Sequence, residues 1–176
     1  PIIRGALERV DGVIVDAACG SWNVFLARLT VGRTIGIDID ERVRIWNKLH
    51  KDFLIQDVHS EIPLEDVGAI ISVYTWEHLY APQTVLARFH EILKKGAPLI
   101  IVAPQKHYYI SILTMVMASP LRNWVWRLAR GRDRMPFPAY YRLCTRRSLA
   151  EGARATGFEL VEYRSRDVAS EWFLTI

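Results

Sequence analysis

Cysteines, long apolar runs and metal-ligand spacings are all scarce in this sequence. The 176 residues include two cysteines, Cys19 and Cys144, which lie far apart, and there is no C-x-x-C pair and no H-E-x-x-H pattern. A bound metal is therefore not expected. The longest apolar run, residues 108–121, has 14 residues, fewer than the ~20 that a membrane-spanning helix needs. These absences argue against a zinc protein and against a membrane span.

The overall composition is that of a folded domain. Apolar residues make up 51% of the chain and charged residues 24%. The length suits one domain, and we predict a single domain over residues 1–176. The first residues, PIIRGALERVDG, contain no apolar stretch typical of a signal peptide, and sparse cysteines suit a reducing compartment. We therefore expect a cytoplasmic protein.

The net charge of +4 is distributed unevenly along the chain. Residues 122–147 contain eight arginines and a single acid, Asp133, which indicates a surface that faces an anion. The mixture of Arg with Trp and Leu also suits an amphipathic helix at a membrane surface, so we expect peripheral membrane contact through residues 108–134. Nucleic acid would use the same residue types, but no named nucleic-acid motif accompanies them, and we expect no such partner.

Short apolar runs alternate with helical patterns in the first hundred residues. The runs predict five strands, at residues 13–15, 34–39, 53–55, 69–73 and 99–102. Helical spacing occupies residues 24–29, 42–49 and 84–93. This alternation predicts an α/β fold with a doubly wound, mostly parallel sheet and helices on both faces. After Pro104 we predict a helical insertion over residues 107–147, then a helix at 147–156 and strands at 158–164 and 172–176.

Polar or small residues follow each of the first four predicted strands. Ligands of an open parallel sheet bind at the carboxyl ends of its strands. Small residues around Gly20, after the first strand, allow close approach of the backbone to a ligand. Asp38, after the second, can accept both hydroxyls of a ribose, and Asp57, after the third, can accept from an exocyclic amine. Together with residues 73–78 these groups suit a nucleoside.

These stretches resemble motifs of the class I S-adenosylmethionine-dependent methyltransferases, in the small-molecule branch that includes ubiquinone-biosynthesis-type enzymes. The first motif of this family is matched by VIVDAACGSW, the second by IGIDID, and the third and fourth by LIQDVHSEIPLEDVGAIISVYTWEHL. The helix, Lys-x-Gly turn and fifth strand are matched by VLARFHEILKKGAPLIIVAP, and the late helix and strand by LCTRRSLAEGARATGFELVEY. Five motifs in order at compatible spacing form a specific joint signal.

The resemblance implies a Rossmann-like fold, S-adenosylmethionine as the cofactor, and transfer of its methyl group to a small or lipid-like, anionic acceptor, with oxygen as the favoured target. It also implies the residues that contact each part of the cofactor. These are Asp16, Ala18 and Gly20 for the methionine part, Asp38 for the ribose, Ile39, Asp57 and Val58 for the adenine, and Val73 and Tyr74 for the sulfonium. Two of these acids have an alternative interpretation, Asp38 as a helix N-cap and Asp57 as a solvated loop acid.

Residues for the acceptor are expected elsewhere in the chain. His78 lies at the mouth of the predicted sheet and is a candidate general base, because its ordinary pKa lies near neutrality. It is alternatively a structural start to the next helix. We expect residues 107–147 to form a cap over the acceptor, with Tyr108 lining the pocket and Arg142 and Arg146 binding a carboxylate or phosphate.

The sequence departs from the family in the loop after the first strand, where the family has Gly-x-Gly-x-Gly. Ala18 replaces the first glycine, a mild change where φ is negative, and Trp22 replaces the third. A large side chain there motivates an alternative function, a catalytically inactive methyltransferase-like binding or scaffold module. A nicotinamide-dependent dehydrogenase is disfavoured, because it needs a glycine at the helix start where this sequence has Ser21-Trp22.

Overall fold

Seven strands form a single sheet in the computed structural model, which describes residues 2–21, 23, 25–28, 32–104, 138–165 and 170–175. The strands are β1 (Ile14–Ala17), β2 (Thr34–Asp38), β3 (Asp52–Ile55), β4 (Ala69–Val73), β5 (Pro98–Ala103), β6 (Glu159–Ser165) and β7 (Ser170–Thr175). Their order across the sheet is β3-β2-β1-β4-β5-β7-β6. The first five are parallel, and β7 runs antiparallel between β5 and β6. The predicted doubly wound, mostly parallel sheet is confirmed.

Helices cover both faces of this sheet. They are α1 (Ile2–Leu7), α2 (Val43–Trp46), α3 (Pro82–Ile92) and α4 (Arg146–Ala155), with 3₁₀ turns at Leu26–Arg28 and Trp76–His78. One apolar cluster joins alternate strand residues, such as Val15 and Ile70, to Phe89 of α3 and Leu149 of α4. A second cluster joins the other strand residues to Leu7 of α1. Because both faces are covered, the central strands are continuously apolar.

The predicted elements have counterparts in the structure, with one helix much shorter than expected. The helical pattern at 42–49 yields only one turn, α2, because Asn47 has an extended backbone. The Asn47 side chain leaves the helix to donate to Gly20 O and to accept from Leu49 N–H. α4 begins at a capping box in which Thr145 and Ser148 exchange hydrogen bonds, as expected for a helix start. Most of the predicted insertion, residues 105–137, lies outside the described residues.

The strand order reverses between β1 and β4, at the centre of the sheet. β2 and β3 follow on one side of β1, whereas β4 and β5 follow on the other. Connections therefore leave this point in opposite directions, and in open parallel sheets the carboxyl ends of the strands at such a point, here β1 and β4, are where ligands bind. Within the described residues, no helix is both long and apolar enough to cross a membrane.

Candidate active site

The loop that follows β1, residues 18–21 (the β1 loop), has an unusual backbone. Ala18 has φ 54° and Gly20 has φ 51°, both in the left-handed region. For Gly20 this conformation costs little, and a Cβ built there would meet nothing within 4 Å, so open space borders the loop. Ala18 corrects the sequence-based expectation, because with positive φ the alanine is strained by about 1–2 kcal/mol.

Replacing Ala18 by glycine is therefore expected to stabilise the fold. Relief of left-handed strain outweighs the extra freedom that glycine has in the unfolded chain, and the net gain is about 1 kcal/mol. Urea denaturation measures this gain. Ala17→Gly is the matched control, because Ala17 is buried in β1, and it should lower the free energy of unfolding. A destabilised Ala18→Gly variant would contradict the strain.

The peptide groups of Gly20 are held from two sides. Gly20 N–H donates to Asp38 Oδ2 at 2.8 Å, and Gly20 O accepts from Asn47 Nδ2 at 2.9 Å. Asp38 Oδ1 accepts from Asp40 N–H at 2.9 Å. Asp38 is not the N-cap of α2, which is Arg42. The structure thus brings Asp38 and Gly20 together, and a carboxylate retains lone pairs for further donors.

A buried polar cluster lies behind the β1 loop. Asp16 is 1% exposed, its Oδ1 accepts from Asn23 Nδ2 at 2.8 Å, and its Oδ2 lies 2.9 Å from His50 Nε2. His50 Nδ1 in turn lies 3.0 Å from Thr34 Oγ1. Burial raises the pKa of Asp16, while the hydrogen bonds from His50 and Asn23 oppose that rise. Asp16, expected against the methionine part, therefore supports the loop from within the protein rather than through an exposed carboxylate.

Sequence reasoning missed His50, Asn23 and Asn47. The side chain of His50 is fully buried and contacts Asp16 of β1 and Thr34 of β2. The available signal was Gly36 in the middle of β2, because a glycine inside a strand often marks a close approach. A Cβ at Gly36 would lie 2.9 Å from both Cys19 Sγ and His50 Cδ2.

Gly36→Ala is accordingly expected to destabilise the protein. The added methyl group overpacks a closed space, which costs about 1–3 kcal/mol. Thermal or urea unfolding measures the loss. Gly5→Ala is the control, because a Cβ at Gly5 of α1 meets nothing within 4 Å and alanine favours a helix. Equal stability of Gly36→Ala and the wild type would show that the space is not closed.

Asp57 and an exposed Ile39 flank the carboxyl ends of β2 and β3. Ile39 is 65% exposed, and Val58 is buried. Asp57 Oδ1 accepts from His59 N–H at 2.9 Å and lies 2.6 Å from His59 Nδ1. Ala81 N–H donates to His59 Nε2, so Nδ1 carries the proton. Burial raises the pKa of Asp57, but the His59 hydrogen bonds outweigh it, and this pKa lies below its ordinary value.

The chain after β4 lies beside the β1 loop. Tyr74 has φ 53° and is half exposed, and its N–H donates to Val102 O at 2.7 Å. Val73, just before it, is half-buried. Thr75 Oγ1 donates to Ala18 O at 3.5 Å and joins this segment to the β1 loop. Left-handed residues at two neighbouring strand ends are typical of a strained functional site.

His78 lies in the 3₁₀ turn that follows, about a third exposed. Its Nδ1 is 2.9 Å from Pro138 O, which can only accept, so Nδ1 carries a proton, and Nε2 lies 3.8 Å from Glu77 Oε1. The neighbouring Glu77 is buried, and its Oε2 accepts no hydrogen bond in the described structure. Burial raises the pKa of Glu77, and His78 partly opposes the rise.

Two of the three residues expected to bind the acceptor lie in the described part of the chain. Arg142 donates to Tyr80 O and lies over the Tyr140 ring, 5.6 Å from its centroid. Arg146 lies 5.5 Å from the ring centroid of Tyr163 on β6, and β6 is four strands, roughly 19 Å, from β1. Tyr108, Trp22 and the predicted membrane-contact segment 108–134 lie outside the described residues. Their predicted roles stay predictions.

A twisted sheet in this order, with an acid at the end of β2 and a turn at the end of β1, is the fold of class I S-adenosylmethionine-dependent methyltransferases. Residues 15–101, just under half of the chain, match the family model described as a methyltransferase domain. A search of curated proteins gave no match. The family-model match supports methyl transfer as the general reaction and S-adenosylmethionine as the cofactor.

Solved structures of low sequence identity share this fold. An S-adenosylmethionine-dependent methyltransferase from Mesorhizobium loti has a TM-score of 0.71 at 15% identity, covering 100% of this chain and 96% of that chain. One from Methanosarcina mazei has a TM-score of 0.70 at 17% identity, covering 99% and 95%. The cyclopropane synthase MmaA2 from Mycobacterium tuberculosis has a TM-score of 0.65 at 14% identity, covering 99% and 82%. The same architecture therefore serves more than one reaction.

Proposed function

We propose that this protein transfers the methyl group of S-adenosylmethionine to a small or lipid-like, anionic acceptor, with oxygen as the favoured target, as a cytoplasmic enzyme of the small-molecule branch. The observation that carries the proposal is the contact between Asp38 and Gly20 at the switch point of the sheet. Ile39 and Asp57 stand beside it at the ends of β2 and β3.

The residues present fit this cofactor. Asp38 retains lone pairs for ribose hydroxyls, and exposed Ile39 offers an apolar surface to a purine. Both His59 hydrogen bonds go to Asp57 Oδ1, so Oδ2 serves an exocyclic amine. The open space at the Cβ position of Gly20 accommodates an amino-acid tail.

When bound, S-adenosylmethionine supplies an electrophilic methyl group on a cationic sulfur. The role of the protein is to hold the acceptor in line with that methyl group and to exclude water, because alignment alone lowers the barrier by several kcal/mol. An acceptor that carries a proton also needs a base. We propose that His78 accepts this proton at Nε2, because Nδ1–H is directed to Pro138 O.

Titration calorimetry with S-adenosylmethionine, followed by a product assay, tests the proposal. Binding of S-adenosylmethionine, together with formation of S-adenosylhomocysteine in the presence of phenolic or carboxylate acceptors, supports the enzyme. Binding without turnover on any acceptor, or no binding at millimolar ligand, favours the binding or scaffold module. Co-sedimentation with anionic vesicles at low salt tests the membrane contact, and a fully soluble fraction would contradict it.

A further inference from the structure

A histidine and an aspartate meet in the interior, directly behind the β1 loop. His50 Nε2 lies 2.9 Å from Asp16 Oδ2, and the two side chains are 0% and 2% exposed. The pair is separated by 34 residues in the chain. A fully buried carboxylate is costly unless it is hydrogen-bonded, so this contact has a structural or functional reason.

The partners of the pair define its hydrogen bonds. The Thr34 hydroxyl can donate to His50 Nδ1, which leaves the Nε2 proton for Asp16. Asn23 Nδ2 donates to the other carboxylate oxygen, and Asn23 Oδ1 accepts from Phe25 N–H. Every carboxylate oxygen therefore has a donor, and such fully satisfied polar networks are rigid.

The same segment that provides His50 also holds the β1 loop directly. Asn47, three residues earlier, donates to Gly20 O. Asp16 lies two residues before the β1 loop, and Asn23 lies two residues after it. The Asp16–Asn23 hydrogen bond therefore connects the two ends of the loop. Residues 47–50 thus fix the loop at its Gly20 peptide and at its base.

We propose that His50 is a positioning residue of the cofactor site, which fixes the buried Asp16 carboxylate behind the β1 loop, so that its negative charge acts across the loop on a cationic ligand. This inference rests on the proposed function. S-adenosylmethionine carries a sulfonium charge that S-adenosylhomocysteine lacks. The resemblance places Asp16 against the methionine part of the cofactor, so its fixed charge would favour the methyl donor over the product, and the hydrogen bond from His50 is one of the contacts that oppose protonation of Asp16.

Two other groups near Asp16 share this environment. Burial and, to a smaller extent, the charge of Asp38 at the end of β2 raise the pKa of Asp16. Burial and, to a smaller extent, the charges of Asp16 and Asp38 raise the pKa of the Cys19 thiol, so the thiol stays neutral. Loss of the His50 donor would therefore leave Asp16 near another acid with only the Asn23 hydrogen bond, and Asp16 would bind a proton more readily.

The test is calorimetric titration of His50→Leu and His50→Gln with both S-adenosylmethionine and S-adenosylhomocysteine. His50→Leu should weaken the binding of S-adenosylmethionine about tenfold and the binding of S-adenosylhomocysteine about threefold or less, because a hydrogen bond to a charged group is lost. His50→Gln, whose amide can still donate, should restore most of the preference. His90→Leu is the control, because His90 contacts Phe158 instead of this site, and it should bind both ligands as the wild type does.

Equal losses for both ligands, or none, would overturn the inference and would leave the proposed function intact. A wild type that binds neither ligand would instead remove the proposed function, and the inference with it. Should His50→Leu fail to fold, Asp16→Asn replaces it, since this variant should lose the same preference for the donor. In the Asp16→Asn background, His50→Gln should change the preference no further.

Discussion

Replacing Asp38 by alanine is expected to weaken S-adenosylmethionine binding by about 100-fold or more. The variant would lose the two hydrogen bonds that we propose Asp38 accepts from ribose hydroxyls, and a hydrogen bond to a charged acceptor contributes about 1.5–3 kcal/mol. It also releases Gly20 N–H, which donates to Asp38 Oδ2. Calorimetry with the purified protein measures the change. Asp38→Asn, which keeps the shape but not the charge, should lie between the alanine variant and the wild type.

The matched control is Asp52→Ala. Asp52 is an acid on the adjacent strand β3, but it lies at the opposite, amino end and pairs with Arg33 at the surface. Its loss should leave cofactor affinity unchanged, since exposed pairs contribute little. If Asp38→Ala and Asp52→Ala bind the cofactor equally well, Asp38 is not the ribose ligand, and the site proposed at the end of β2 is wrong.

As the pH rises from acidic values, Glu77→Gln is expected to keep its free energy of unfolding, whereas the wild type loses part of its own. Burial raises the pKa of Glu77 above its ordinary 4.5, so folding favours the protonated form. The stability that this group contributes is fully present below pH 4.5 and is lost as the pH rises through the raised pKa. Because Oε2 has no hydrogen-bond donor, the charged form costs about 1–3 kcal/mol.

Urea denaturation of both proteins between pH 5 and pH 9 measures this difference. In Glu77→Gln the free energy of unfolding should fall much less with rising pH than in the wild type. The remaining fall comes partly from Asp16, whose pKa is also raised by burial. Glu91→Gln is the control, because Glu91 is exposed and pairs with Arg88 on the surface of α3. Parallel pH profiles for Glu77→Gln and the wild type would mean that Glu77 is not buried as a charged group.

The sequence predicted Asp38 correctly as a strand-end residue, because the rule that places ligands at carboxyl ends needs only the strand boundaries. It predicted neither the positive φ of Ala18 nor the hydrogen bond from Asn47 to Gly20. Periodicity suggested a helix through residues 42–49, but α2 is a single turn. A tertiary contact ended that helix, and local patterns contain no information on such contacts.

Short-range patterns in the sequence by themselves determined the strands, the alternation with helices and the acids at the strand ends. Apolar runs with both faces buried can form only a covered parallel sheet, and this requires no knowledge of distant partners. Only the tertiary structure decided that His50 would lie on Asp16, and that Glu77 would be buried without a partner for Oε2. These features depend on side chains that are remote in sequence, or on the way the packed chain excludes water. They therefore form only when the whole chain has folded.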